Sequence, residues 1–278
     1  AYQEDLGWLA EIPPAQVWVY THTHSTRRSA HPFAHLAERT TAESFNRTRV
    51  MLEHMVTEDV SRPSVHFVDV PNIGDEALAW LWHISHRYDE LPEMVAFVHG
   101  HRSASQHSNF DMAAVLGCLC ADVAPDGDEG NDQHQQRNLY LSLNSEFSRQ
   151  TMCFETIAAS PMRTNRREPL DLARSTISKH WPSFFAAEYG AEKPPARFCM
   201  DCCAQFLLSR SAIHAHPKHF YSRLLQGVVN GTLSGYDMEI FWRMLFAGAS
   251  WNSELHTPQR GGLGVGRRGL SQSADRRT

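Results

Sequence analysis

The sequence predicts a single α/β domain, with a mostly parallel central sheet flanked by helices and a helical C-terminal part. Three observations predict it. Short β-branched or apolar runs at 16–20, 65–70 and 94–98 read as strands. A helical spacing of apolar residues joins the second run to the third, and two amphipathic stretches, 212–229 and 236–246, lie near the end of the chain. Strand, helix and strand of these lengths make a right-handed βαβ crossover, which sets its two strands parallel. The domain is expected over residues 1–250, followed by a basic Gly/Arg/Ser-rich tail over 251–278.

Each element has a local reason. Residues 16–20, Gln-Val-Trp-Val-Tyr, follow Pro13-Pro14 and combine β-branched with aromatic side chains. The polar, basic stretch 21–28 has the composition of a loop, and from 34 to 56 apolar residues recur at helical intervals with a break near 39–41. The strand at 65–70 is ended by Pro71, and Asn72, Ile73 and Gly74 make a turn. Asp75 and Glu76 then place negative charge in the first turn of a helix, where the peptide dipole favours it. Leu78, Leu81, Trp82 and Ser85 keep helical spacing to about Tyr88, and Leu91-Pro92 stops the helix. The continuous apolar run 94–98 is expected to be a strand buried on both faces. Further along, 110–119 reads as helix, 124–137 as an acidic exposed loop, and 139–143 as strand. Residues 162–170 are basic and irregular, 172–189 hold a helix interrupted by Pro182, and 202–208 are a strand candidate.

Composition bounds the function. The hydrophobic fraction of 42% and aromatic fraction of 10% belong to a globular chain. A net charge of −5 gives no general reason to expect nucleic-acid binding. No run of about 18 apolar residues occurs, so no transmembrane segment is expected. The chain begins at Ala1 rather than Met, which fits a processed or truncated form. The tail carries Arg260, Arg267, Arg268, Arg276 and Arg277 against Asp275 alone, and is expected to be disordered. Cys118, Cys120, Cys199, Cys202 and Cys203 cluster in two places, which permits bridges between them in an oxidising compartment. With glycosylation-type triplets at Asn46–Thr48 and Asn230–Thr232, this leans towards the secretory pathway.

In open α/β sheets, ligands collect outside the carboxyl ends of the strands. His99-Gly100-His101 follows the 94–98 strand there, and alternate residues of an extended segment project to one side. With His107 they would make three imidazoles and an open fourth position, a set suited to a divalent metal ion. A structural hydrogen-bonding role is the other reading, because the chain holds 17 histidines and short-range pairs arise by chance. His22 and His24 form a second pair, either facing the same crevice or exposed on a loop, and Arg27 and Arg28 are either a phosphate fork or a solvated charge pair. Asn72 and Gly74 lie on a strand-to-helix turn able to meet an anion, with Glu76 either at the ligand or capping the helix. Cys199, Cys202 and Cys203 read as a disulfide or buried thiols before a zinc knuckle, because the second half of a four-cysteine site is missing. Asp201 is a candidate ligand or base, and Glu239 faces either a cleft or solvent.

Several separated motifs are also similar to those of one family. They are Val70 to Ala77 (Val-Pro-Asn-Ile-Gly-Asp-Glu-Ala), Tyr88 to Pro92, and Phe97 to His101. Cys202 to Phe206, Ser209-Arg210, Pro217, Phe220-Tyr221 and Glu239 through Trp242 to Phe246 follow in order. Over about 17–248 the chain resembles an uncharacterised, mainly fungal family catalogued as a domain of unknown function. It departs from that pattern at Asp75, where Arg is usual, and at Gln106, where Trp is usual. The layout resembles that of nucleotide-sugar glycosyltransferases of the A-type, Rossmann-like fold. The resemblance implies transfer from a nucleotide sugar to a hydroxyl acceptor, assisted by a divalent metal ion at His99, His101 and His107. Asp201 and Glu239 would act as catalytic groups, and Asn72, Gly74, Glu76 and Gln205 would bind substrate. A histidine-ligated copper, iron or zinc enzyme, and a non-catalytic carbohydrate-binding or assembly protein, remain the alternatives. Nothing in the sequence fixes the oligomeric state.

Overall fold

A computed structural model describes residues 6–23, 49, 63–103, 111–122, 138–144, 151–156, 167–201 and 203–248. His24, Arg27, Arg28, the Asn46 triplet, His107, Cys202, the 34–48 and 50–56 parts of the expected helix, the 124–137 loop and the 251–278 tail lie outside them, as does the side chain of Cys120.

The strands fall into three small sheets. β1 (Gln16–Thr23) and β2 (Ser64–Pro71) run parallel, with Val19 opposite Phe67 and His22 opposite Val70. β3 (Met94–Phe97), β4 (Tyr140–Ser142) and β7 (Phe206–Ser209) form a second sheet with β7 central and both its neighbours antiparallel to it. β5 (Met152–Glu155) and β6 (Arg197–Met200) make an antiparallel pair. The expected mostly parallel central sheet of glycosyltransferase A-like type is therefore corrected: among the described residues the parallel pairing is confined to β1 and β2. The helix between β2 and β3 does form, but β3 spends its ladder on β7, with Val95 opposite Leu208 and Phe97 opposite Phe206. A short apolar run carries no mark of strand direction, so 94–98 and 206–208 look alike for either pairing. β3 also alternates rather than being buried on both faces, with Val95 and Phe97 inside and Met94 and Ala96 partly exposed.

α1 (Asp75–Arg87) begins after Gly74, whose φ of +67° is in the left-handed region. A Cβ on Gly74 would lie 2.3 Å from Val228 Cγ1, so only glycine lets the turn press against the helix behind it. α1 buries Ala77, Leu78, Leu81 and Ile84 against the two long C-terminal helices. α2 is Met112–Asp122 and α3 is Arg167–His180. The interruption expected at Pro182 is a wide π turn, Trp181–Phe185, which leads into α4 (Ala186–Tyr189). Proline has no N–H to donate, and a locally widened turn accommodates that without ending the helical path. The helix expected over 212–229 is two, α5 (Arg210–His214) and α6 (Lys218–Val229), parted at Pro217, which sets the start of α6. α7 (Gly235–Phe246) opens with a reciprocal cap: the Ser234 hydroxyl accepts from the Asp237 N–H at 3.1 Å, and the Asp237 carboxylate accepts from the Ser234 N–H at 2.8 Å.

The main core joins α1, α6 and α7 to β3, β6 and β7 through Trp181, Phe185, Phe198, Phe206, Phe220, Tyr221, Phe241 and Trp242. A smaller one gathers Leu6, Trp8, Leu9, Ile12, Val19, Val65, Met112 and Ala113. A disulfide joins Cys153 to Cys199 directly across the β5–β6 ladder, and Cys203 is also disulfide-bonded. Cys199 thus pairs with Cys153, which stands outside both cysteine clusters, and Cys118 stays exposed and unbridged. Among the described residues no helix is long and apolar enough to cross a membrane.

Candidate active site

Between β6 and β7, residues 203–205 are held from four sides. Trp80 on α1 donates its indole N–H to the Ala204 carbonyl at 2.9 Å. Asn144, at the end of β4, donates to the Cys203 and Gln205 carbonyls, each at 3.3 Å. The Gln205 side-chain oxygen accepts from the backbone N–H of His99 at 3.1 Å. On α7, the Glu239 carboxylate accepts from the backbone N–H of Cys203. Asn144 and Gln205 are almost wholly buried, so these amide bonds satisfy groups that would otherwise be costly inside the protein.

Two residues other than glycine hold left-handed backbone among the described residues, Asp75 at φ 52° and Cys203 at φ 68°. One begins α1 and the other bonds Glu239, so both bear on the same corner of the molecule. Such conformations cost about 1–3 kcal/mol each and collect at functional sites.

The carboxylates there influence one another. Burial pushes the Glu76 carboxyl up from 4.5 to about 7; the Glu76 backbone N–H pulls the other way, and the charges of Glu239 and Asp75 push further. Burial also raises Glu239, opposed by the Cys203 amide and assisted by Asp75. Acids that share a partly dry space cannot all ionise readily, so a proton is retained near neutral pH. Asp75 Oδ2 also faces Gly235, where an added Cβ would come within 2.7 Å of it. The first residues of α1 and of α7 therefore meet.

The structure brings Gly74, Glu76, Gln205 and Glu239 to this corner, with the backbone of His99 tied in through Gln205. Asn72 is exposed on the turn leading to it. The rings of His99 and His101 lie 6.4 Å apart, tilted by 31°, with His99 partly buried and His101 exposed. Gly100 is fixed between them by a 2.9 Å bond from the Trp8 indole to its carbonyl. Arg102 pins the segment that follows, bonding Glu11 at 2.6 and 2.7 Å and Asp111 at 2.9 Å. His107 lies outside the described residues; among those described, no three His, Cys, Asp or Glu side chains gather as a metal site requires.

Asp201 is placed differently. Its carboxylate accepts from Arg243 at 3.0 Å and from the Thr151 hydroxyl at 2.7 Å, in the core. Sequence reasoning missed Asn144 and Thr151, and read Cys203 as a disulfide or buried thiol without its bond to Glu239. Asn144 was signalled by its position one residue past the 139–143 run, whereas nothing local reveals the left-handed backbone of Cys203.

A family model described as "Protein of unknown function (DUF3431)" matches residues 46–259. No curated protein and no solved structure matches the chain.

Proposed function

The chain belongs to that family, protein of unknown function DUF3431, and from this premise, which brings no reaction with it, we propose a glycosyltransferase-like enzyme whose carboxylates activate an acceptor hydroxyl. The observation that carries the proposal is the meeting of Glu76 from α1 and Glu239 from α7 at a polar corner built on two left-handed residues. A carboxyl poised near neutral pH is matched to proton transfer, because both its forms are populated where it works.

In this scheme the ionised member of the pair takes the proton of an acceptor hydroxyl. The hydroxyl oxygen bonds to the anomeric carbon of a nucleotide sugar. The bond from that carbon to the diphosphate breaks, and its electron pair leaves on the phosphate oxygen. Asn72 and the amides of the turn would meet the donor. A divalent ion at His99, His101 and His107 would supply neutralisation of the leaving charge, and imidazole donors suit zinc better than magnesium. The Cys153–Cys199 disulfide supports an oxidising compartment, in keeping with a secretory location.

The test is release of nucleoside diphosphate from a panel of nucleotide sugars offered with hydroxyl acceptors. Glu76→Gln and Glu239→Gln are expected to lower turnover by about 10²–10⁴-fold while the circular dichroism spectrum is kept. Wild-type turnover in both variants, or consumption of no nucleotide sugar at all, overturns the proposal.

A further inference from the structure

A cavity of about 440 Å³ is lined by both β1 and β3, strands of two different sheets. Its walls include Trp8, Trp18, Trp80, Phe97, Leu116 and Leu119. An apolar cavity of about 150 Å³ holds a benzene molecule, so this one has room for a chain or several fused rings. Protein interiors pack as tightly as organic crystals, and an open-mouthed space of this size among large side chains marks a place for an occupant. The mouth is formed by Ala15, Gln16 and Pro92, all exposed, which gives the occupant a way in.

The polar content of the walls selects the occupant. The indole N–H groups of Trp8 and Trp80 are already committed to the carbonyls of Gly100 and Ala204. Beside the partly exposed Trp18 and the exposed Gln16, the walls carry the buried Tyr20–His83 pair, phenol oxygen to Nδ1 at 2.7 Å. The imidazole tautomer decides which of the two donates. A ligand hydroxyl both donates and accepts, so it matches either arrangement. A carboxylate can only accept and an ammonium can only donate, and each would have to shed its water to enter.

We propose that this cavity binds an uncharged long-chain alcohol, its chain among the indoles and aliphatic side chains and its hydroxyl on the Tyr20–His83 pair. Burial, joined at His83 by the charge of Arg87, lowers His83 to about 4. Burial raises Tyr20 above its ordinary value against that charge, so the pair stays neutral while Arg87 is held by Glu90 at 2.7 Å. The inference is independent of the carboxylate chemistry at Glu76 and Glu239, and either can fail alone.

The experiment is titration of the folded chain with 1-dodecanol, farnesol, dodecanoate and dodecylamine, followed by tryptophan fluorescence and calorimetry. The alcohols are expected to bind at one equivalent and at least tenfold more tightly than either charged probe. A preference for farnesol over dodecanol identifies a branched isoprenoid chain, and the reverse a straight one. Ala96→Phe, which fills the cavity from β3, is expected to weaken alcohol binding at least tenfold. Tyr20→Phe keeps the shape and is expected to erase the preference for alcohols, so the proposal stays testable if Ala96→Phe fails to fold. Absence of saturable alcohol binding, equal binding of the charged probes, or unchanged affinity and selectivity in the variants overturns it.

Discussion

Arg243 and Asp201 face each other at 3.0 Å inside the core, each side chain only 4% exposed. The pair ties α7 to the end of β6, and the Thr151 and Tyr140 hydroxyls also bond the carboxylate. Removing one partner of such a pair strands a charge without water, at a cost of about 3–5 kcal/mol. Arg243→Met is expected to lose that much in urea unfolding, and the double variant Arg243→Met with Asp201→Leu to recover most of it. Equal losses in the single and double variants would show that packing, not charge, dominates here.

The disulfide between Cys153 and Cys199 closes a loop across 46 residues and staples β5 to β6. Constraint of the unfolded chain by a loop of that length stabilises by about 4 kcal/mol at most, and native strain reduces the figure. Cys153→Ala with Cys199→Ala is expected to lower the melting temperature by several degrees, and peptide mapping under non-reducing conditions confirms that the bond at Cys203 is kept. An unchanged melting temperature would mean that the β5–β6 pair contributes little to the cooperative unit.

Much of this chain can be followed from its residues alone, and where that stops has physical causes. β1, β2, α1, β3 and α7 are local matters: periodicity, Pro71, Pro92 and Ser234 fix them within a few residues. The sheet order is not local, because β3 and β7 pair across more than a hundred residues and either direction suits their apolar pattern. β5 and β6 are four-residue strands that carry no long alternation of their own, and their pairing places Cys153 opposite Cys199. At the candidate site, position marks Glu76 and Glu239 while leaving a capping or surface role open for each, and Gln205 is marked only by the family resemblance. The left-handed backbone of Asp75 and Cys203, which shapes that corner, is imposed by packing and leaves no mark in the sequence.

The Glu76 carboxyl makes stability depend on pH. Its folded value of about 7 lies above its ordinary 4.5, so between those limits the native state keeps a proton that the unfolded chain has released. The resulting stabilisation is complete below about pH 4.5 and is lost as pH rises to about 7. His83 works in nearly the same window with the opposite slope, so the two contributions offset each other in the wild-type chain. Its depressed value means that stability is lost as pH falls from about 6.5 towards 4. Urea midpoints from pH 4 to 8 in the two variants separate them: Glu76→Gln is expected to leave a stability that rises from pH 4 to about 6.5, and His83→Gln one that falls from about pH 4.5 to 7. If Glu76→Gln leaves the profile unchanged, Glu76 is not the group that holds the extra proton.

Two glycines with nearly the same backbone angle should respond very differently to a methyl group. Gly74 and Gly190 have φ of +67° and +62°, so alanine at either meets the same left-handed penalty of about 1–2 kcal/mol. At Gly190, which ends α4, nothing lies within 4 Å of the added Cβ, and the backbone term is the whole cost. At Gly74 the Cβ would lie 2.3 Å from Val228 Cγ1, so the turn and α6 must separate, adding about 1–3 kcal/mol of overpacking. Because Gly74 leads directly into Asp75 and Glu76, that displacement also moves the carboxylate corner. Gly74→Ala is therefore expected to lose both stability and turnover, and Gly190→Ala only a small part of the stability. Val228→Ala in the Gly74→Ala background opens room for the methyl group, and partial rescue of turnover there would tie the site to this contact.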